Sequence, residues 1–155
     1  MAFLIHGLDP ALFARSFTLS DAELAARGAL RTIADAHPGY PCRVSLADAE
    51  PGDELLLVHF EHHATSTPYR AAGPIYVRRA AHTRVVLDRV PDVLARRVLS
   101  VRGYDAAGMM VAADVVDGRE LASKLDAVLG CVEIAYVHVH YAKPGCFACQ
   151  ITRPS

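Results

Sequence analysis

Val98-Leu99-Ser100-Val101-Arg102-Gly103-Tyr104 and Met109-Met110-Val111-Ala112-Ala113-Asp114-Val115-Val116, joined by Asp105-Ala106-Ala107-Gly108, decide the fold class of this 155-residue chain. Two β-rich runs around a four-residue loop ending in Gly predict a hairpin. A hairpin makes its two strands antiparallel and leaves no room for a crossover helix, which argues against a βαβ series. Outward from this point, strands are expected over Phe3–His6, Leu30–Ala34, Cys42–Leu46, Glu54–His62, Ile75–Val77, Thr83–Val90, Glu133–Tyr141 and Cys146–Thr152. Helical starts are fewer. Asp9-Pro10 is one, Pro91-Asp92 leads a turn or two through Arg97, and Asp117 or Gly118 caps Leu121, Leu125, Val128 and Leu129, with Gly130 as the stop. Ser20-Asp21-Ala22-Glu23 has the spacing of a capping box, stopped by Gly28. His37-Pro38-Gly39-Tyr40-Pro41 must be irregular, because each proline pushes its predecessor out of the helical region. The expectation is one α+β domain over residues 1–155, with a largely antiparallel or mixed sheet and a few short helices.

Composition narrows the function classes. Hydrophobic residues make up 52% and charged residues 21%, which excludes a disordered chain. The formal net charge of −1 disfavours a general nucleic-acid binder. Four cysteines are too few for a disulfide scaffold, no apolar run is long enough to span a bilayer, and the N-terminal residues lack the basic region of a signal peptide. A cytoplasmic protein with reduced thiols and no membrane association is therefore expected, with a homodimer as the prior for its assembly. The neutral total hides an asymmetry: Ala64–Tyr104 carries eight arginines against Asp88 and Asp92, a net of +6, and the remainder carries −7. Such a block is either an anion-binding surface or the complement of acids elsewhere in the fold, and the second is the commoner case.

The chemistry-bearing stretch is Tyr136-Val137-His138-Val139-His140-Tyr141-Ala142-Lys143-Pro144-Gly145-Cys146-Phe147-Ala148-Cys149. On a strand His138 and His140 share a face, roughly 6.5–7 Å apart along the chain. The Pro144-Gly145 turn then returns Cys146 and Cys149, and this mix of nitrogen and sulfur donors suits Zn²⁺ or another borderline transition metal. With three protein ligands and an open position, such a metal would activate water for hydrolysis of a small molecule. The competing reading is metal-free: satisfied strand histidines and small core cysteines. A redox role for Cys146 and Cys149 is weaker, because no helix can follow Cys149 to activate a thiol. His59, Glu61 and His63 share a strand face and form a further candidate group. Cys42-Arg43 places a thiol beside a guanidinium, and Pro68-Tyr69-Arg70 fixes an aromatic hydroxyl and an anion clamp on one loop. Isolated glycines after strands leave no nucleotide or flavin motif.

Several stretches together resemble the bacterial family catalogued as domain of unknown function 1203. They are Gly7-Leu8-Asp9-Pro10, Leu19-Ser20-Asp21, Pro38-Gly39-Tyr40-Pro41-Cys42-Arg43-Val44-Ser45-Leu46, Pro68-Tyr69-Arg70, Gly73-Pro74-Ile75-Tyr76-Val77-Arg78, Gly108-Met109-Met110, His138-Val139-His140 and Gly145-Cys146-Phe147-Ala148-Cys149. The resemblance runs nearly end to end and implies a single domain, without an activity, substrate or cofactor. It singles out Cys42, Arg43, Tyr69, Arg70, His138, His140, Cys146 and Cys149. His59 departs from it, where Asn is expected, and His62 and His63 fall in a variable loop. The resemblance also raises the possibility that Cys42 completes a site with His138 and His140. Two functional expectations follow. One is metal binding through His138, His140, Cys146 and Cys149, with Arg43, Tyr69 and Arg70 as catalytic candidates orienting a small anionic or carbonyl-bearing molecule. The other is a non-catalytic module holding an anionic partner on the Arg-rich middle segment.

Overall fold

Eleven strands and three short helices build two sheets, and the computed structural model describes all of residues 1–155. The strands are β1 (Leu4–His6), β2 (Leu30–Ile33), β3 (Pro41–Cys42), β4 (Ala47–Asp48), β5 (Glu54–His63), β6 (Ala71–Arg78), β7 (Val85–Leu87), β8 (Val98–Tyr104), β9 (Met110–Asp117), β10 (Tyr136–Tyr141) and β11 (Phe147–Thr152). The helices are α1 (Asp21–Ala26), α2 (Asp92–Ala95) and α3 (Leu121–Gly130). The larger sheet runs β7-β1-β11-β10-β8-β9 and the smaller β2-β5-β6-β3-β4. Every pairing is antiparallel except the short parallel one between β3 and β6. This is the α+β class read from the central hairpin, whose strands β8 and β9 pair from Val98–Asp117 to Tyr104–Met110. No helix is long and apolar enough to cross a membrane.

Strand alternation sorts the larger sheet into two unlike faces. Ile5, Val137, Val139, Val101, Leu99 and Ile151 line one face, and Leu121, Leu125 and Leu129 of α3 are buried against them at helical spacing. The other face carries His138, His140, Gln150, Ser100 and Arg102, and the end of β5 packs over part of it. The smaller sheet has its own core of Phe13, Leu24, Leu56, Val58, Ile75 and Val77, which Phe147 of β11 joins. Ser20 caps α1 as its spacing predicts: its Oγ accepts from the Glu23 N–H at 3.1 Å, and Gly28 ends the helix at φ +69°.

Two local expectations are corrected. Cys42–Leu46 is not a strand. After Cys42 the chain turns, with Leu46 at φ 51°, so that Val44 enters the core of the smaller sheet and Leu46 that of the larger. A strand offers its side chains two opposed faces, whereas here Arg43, Val44 and Leu46 must each be buried against different neighbours. The second correction is to β6, which begins at Ala71 and runs through Gly73-Pro74. Pro74 costs no ladder bond, because β3 spans two residues and meets β6 only at Tyr76.

Candidate functional site

Arg43 lies in the turn that joins the two cores and is 3% exposed. Its Nε donates to the Phe147 carbonyl at 2.8 Å and its Nη1 to the Pro41 carbonyl at 2.6 Å. Carbonyls satisfy N–H groups but do not neutralise a charge, and no carboxylate pairs with this guanidinium. Burial holds its pKa below the ordinary guanidinium value, opposed by nearby Tyr141, Cys146 and Cys42. Its Nη2 makes no hydrogen bond. Arg43 borders a cavity of about 570 Å³ that is also lined by Arg96, Arg97, Lys143 and Cys146. Leu57, Pro74, Tyr76, Val98, Tyr141 and Pro144 supply much of its apolar wall.

The remaining charges of the cavity are partly compensated from behind. Asp48, its side chain 1% exposed, accepts from both terminal nitrogens of Arg97 at 2.6 and 3.0 Å and from Arg96 at 3.4 Å. One carboxylate thus serves two guanidiniums, and no acidic side chain lines the cavity itself. The Tyr141 ring lies 5.0 Å from the Arg43 guanidinium carbon and 5.2 Å from that of Arg97, so its π-face supports both cations. The result is a cationic floor beside an apolar wall.

The expected metal quartet is divided by the strands that carry it. His138 and His140 do share a face, but Cys149 pairs with Val139 and points into the opposite core, 1% exposed, where burial pushes its thiol up to about 12. A β-bulge at Ala148 puts Phe147, not a thiol, across from His140. Cys146 lines the cavity instead. Cys42 accepts the Arg78 backbone N–H at 3.3 Å in the smaller sheet's core and does not reach the histidines as a fourth donor. No group of three or more His, Cys, Asp or Glu side chains is arranged to hold one metal ion.

The histidines instead form an aromatic layer with His62, His63, Tyr104, Tyr136 and Phe147. His62 stacks on Phe147 with centroids 5.0 Å apart and meets the His140 ring at 4.9 Å; His63 meets His138 at 5.0 Å. Donor chemistry sets two tautomers. The Nδ1–H of His140 donates to the Gly145 carbonyl at 2.9 Å, leaving Nε2 to accept from Arg102 at 3.4 Å. The Nδ1–H of His63 donates to the Tyr69 carbonyl at 2.8 Å, so its Nε2 accepts from the Tyr136 hydroxyl at 2.6 Å. His138 is tied through Nε2 to Gln150 Oε1 at 3.2 Å, while the Nδ1 atoms of His138 and His62 are buried without a partner. Burial lowers the pKa of His62 and His140 to about 4 and that of His138 to about 3, with neighbouring histidines adding to each effect.

Tyr69 and Arg70 are exposed on the loop before β6; Arg70 pairs with Glu61, and neither residue lines the cavity. His59 and Glu61 are exposed on β5, while His63 of the same expected group is buried. Half of the arginines in the Arg-rich segment are paired within the fold. Arg70, Arg79, Arg96 and Arg97 are held by Glu61, Glu54 and Asp48, acids from outside the segment, and only Arg96 and Arg97 of it reach the cavity. Cys42-Arg43 signalled part of this site in the sequence; Asp48, Tyr141 and Lys143 come to it through pairings that carry no local signature. No curated protein and no solved structure matches the chain. A family described as a protein of unknown function, DUF1203, matches residues 39–153, a stretch that contains Arg43, the cavity and the histidine layer. With most of its length matched, including both sheets' central strands, the chain belongs to the DUF1203 family.

Proposed function

We propose that this protein binds a small organic anion in the cavity between its two sheets. The acidic group sits against Arg43 and Lys143, and a flat apolar body lies on Tyr76 and the prolines. The observation that carries the reading is Arg43, a buried cation with no carboxylate partner at the edge of a cavity free of acids. Removing a charge from water costs several kcal/mol unless another charge compensates it, and an anionic ligand would supply that charge. A cavity of about 570 Å³ is within the range of small-molecule sites. Zinc-assisted hydrolysis, the other expectation, would require His138, His140 and a thiol on one ion, and it lends this reading no support because the thiols face elsewhere.

Benzoate and its neutral isostere benzamide test the reading by calorimetric titration or ligand-observed NMR. Benzoate should bind and benzamide should bind at least about tenfold more weakly, since a desolvated charge-assisted bond is worth about 1.5–3 kcal/mol. Arg43→Lys and, at the cavity's rim, Lys143→Met should each weaken benzoate. Equal binding of the two probes, or binding indifferent to both substitutions, would overturn the proposal.

A further inference from the structure

We infer that Cys146 is a site of thiol–disulfide exchange with anionic low-molecular-weight disulfides, which the cationic cavity gathers beside its thiol; this rests on the anion-binding reading above. Cys146 is the one thiol placed for it. Cys42 and Cys149 are each 1% exposed, and Cys131, though exposed, lies after α3 and does not line the cavity. Cys146 is partly accessible, its Sγ is 3.9 Å from the Pro144 carbonyl, and it shares the cavity with Arg43, Arg97 and Lys143.

The second, independent sign of a ligand at this place is the Arg43 side chain, nine-tenths buried and more, with its Nη2 unbonded and no counterion. A disulfide bearing carboxylates would place one carboxylate on this guanidinium and its sulfurs near the mouth formed by Lys143-Pro144-Gly145-Cys146. The step balances without a further oxidant. The Cys146 thiol gives its proton to water, its sulfur attacks one sulfur of the disulfide, and the S–S bond breaks. A mixed disulfide forms on Cys146, and the released thiolate takes up a proton. Cys149 cannot resolve the adduct, because it points into the other core, so the mixed disulfide persists until an external thiol removes it. A persistent adduct would occupy the cavity and exclude its usual anion.

Cys131 serves as an internal reference. The native protein is treated separately with dithiobis(nitrobenzoate), a dianionic disulfide, and cystamine, a dicationic one, and the rate at each cysteine is read by peptide mass spectrometry. At low ionic strength the anionic-to-cationic rate ratio at Cys146 should exceed that at Cys131 by about tenfold or more. Added salt should shrink the difference, and Lys143→Glu should reduce the ratio at Cys146 while leaving Cys131 unchanged. Equal ratios at the two cysteines, or labelling of Cys131 alone, would sink the inference. Benzoate titration of the native protein separates the two proposals. Retained benzoate binding with no charge selectivity at Cys146 removes only this inference, whereas loss of both removes the anion site as well.

Discussion

Asp48 shows how one side chain can oppose stability and binding. Its carboxylate is nearly inaccessible and holds Arg97 with two hydrogen bonds, Arg96 with one long contact and the Gly39 N–H at 3.3 Å. A buried acid gripping a guanidinium with both oxygens stiffens the cavity floor, but its negative charge also offsets the field that would draw in an anion. Asp48→Asn separates these effects, since the amide still has an oxygen to accept from Gly39 and Arg97 yet carries no charge. Stability should fall by about 1–3 kcal/mol in urea titrations, as the Arg97 cation loses its counterion. Benzoate affinity should rise at low salt. A variant with lower stability and lower affinity would show that Asp48 acts only by positioning Arg97.

At the scale of elements, α2 and the segment entering α3 are held together through a glycine. The Gly118 N–H donates to the Arg97 carbonyl at 2.8 Å, and a Cβ on Gly118 would fall onto the Leu94 carbonyl oxygen. Only a residue without a side chain allows α2 to approach this closely, and α2 leads directly into Arg96 and Arg97. Gly118→Ala must push α2 outward, with an overpacking cost of about 1–3 kcal/mol. It should weaken benzoate binding although it lies outside the cavity; unchanged binding with reduced stability would show that the two arginines hold their places without this contact. Such close approaches explain what the sequence concealed. The hairpin β8–β9, the capped α1 and the strand carrying His138 and His140 were legible, because each is specified by residues close to one another in sequence. The turn at Cys42–Leu46 was not, since its apolar residues answer to two cores distant in sequence. In the site, Cys42-Arg43 was visible as a pair, whereas the structure parts His138 and His140 from the two cysteines for one reason. A bulge at Ala148 and strand alternation send two closely spaced cysteines to different faces, a matter of register that spacing alone does not decide.

Over the whole molecule, the histidine layer makes stability a function of pH. His62, His138 and His140 take pKa values of about 4, 3 and 4 in the fold against 6.5 in the open chain, chiefly because burial disfavours their charged forms. Above pH 6.5 both states hold these rings neutral, and the fold keeps its full stability. As pH falls from there towards 4, the unfolded chain binds protons that the native protein refuses, so stability declines by up to ~1.4 kcal/mol per pH unit for each such proton. Glu54, whose carboxyl is held below its usual value of 4.5 by the hydrogen bond from Arg79, contributes only at lower pH. The interval from pH 7 to 5.5 therefore isolates the histidines. Across it the thermal midpoint should drop steadily, as acid favours the unfolded state. His62→Phe sharpens the test: the ring at this position stacks on Phe147, and the Nδ1 atom it would lose is buried without a partner. The variant should be at least as stable at pH 7, and its decline towards pH 5.5 should be shallower by up to one proton. A wild-type midpoint that stays flat over this interval, or a variant with the wild-type slope, would mean that the layer admits protons freely.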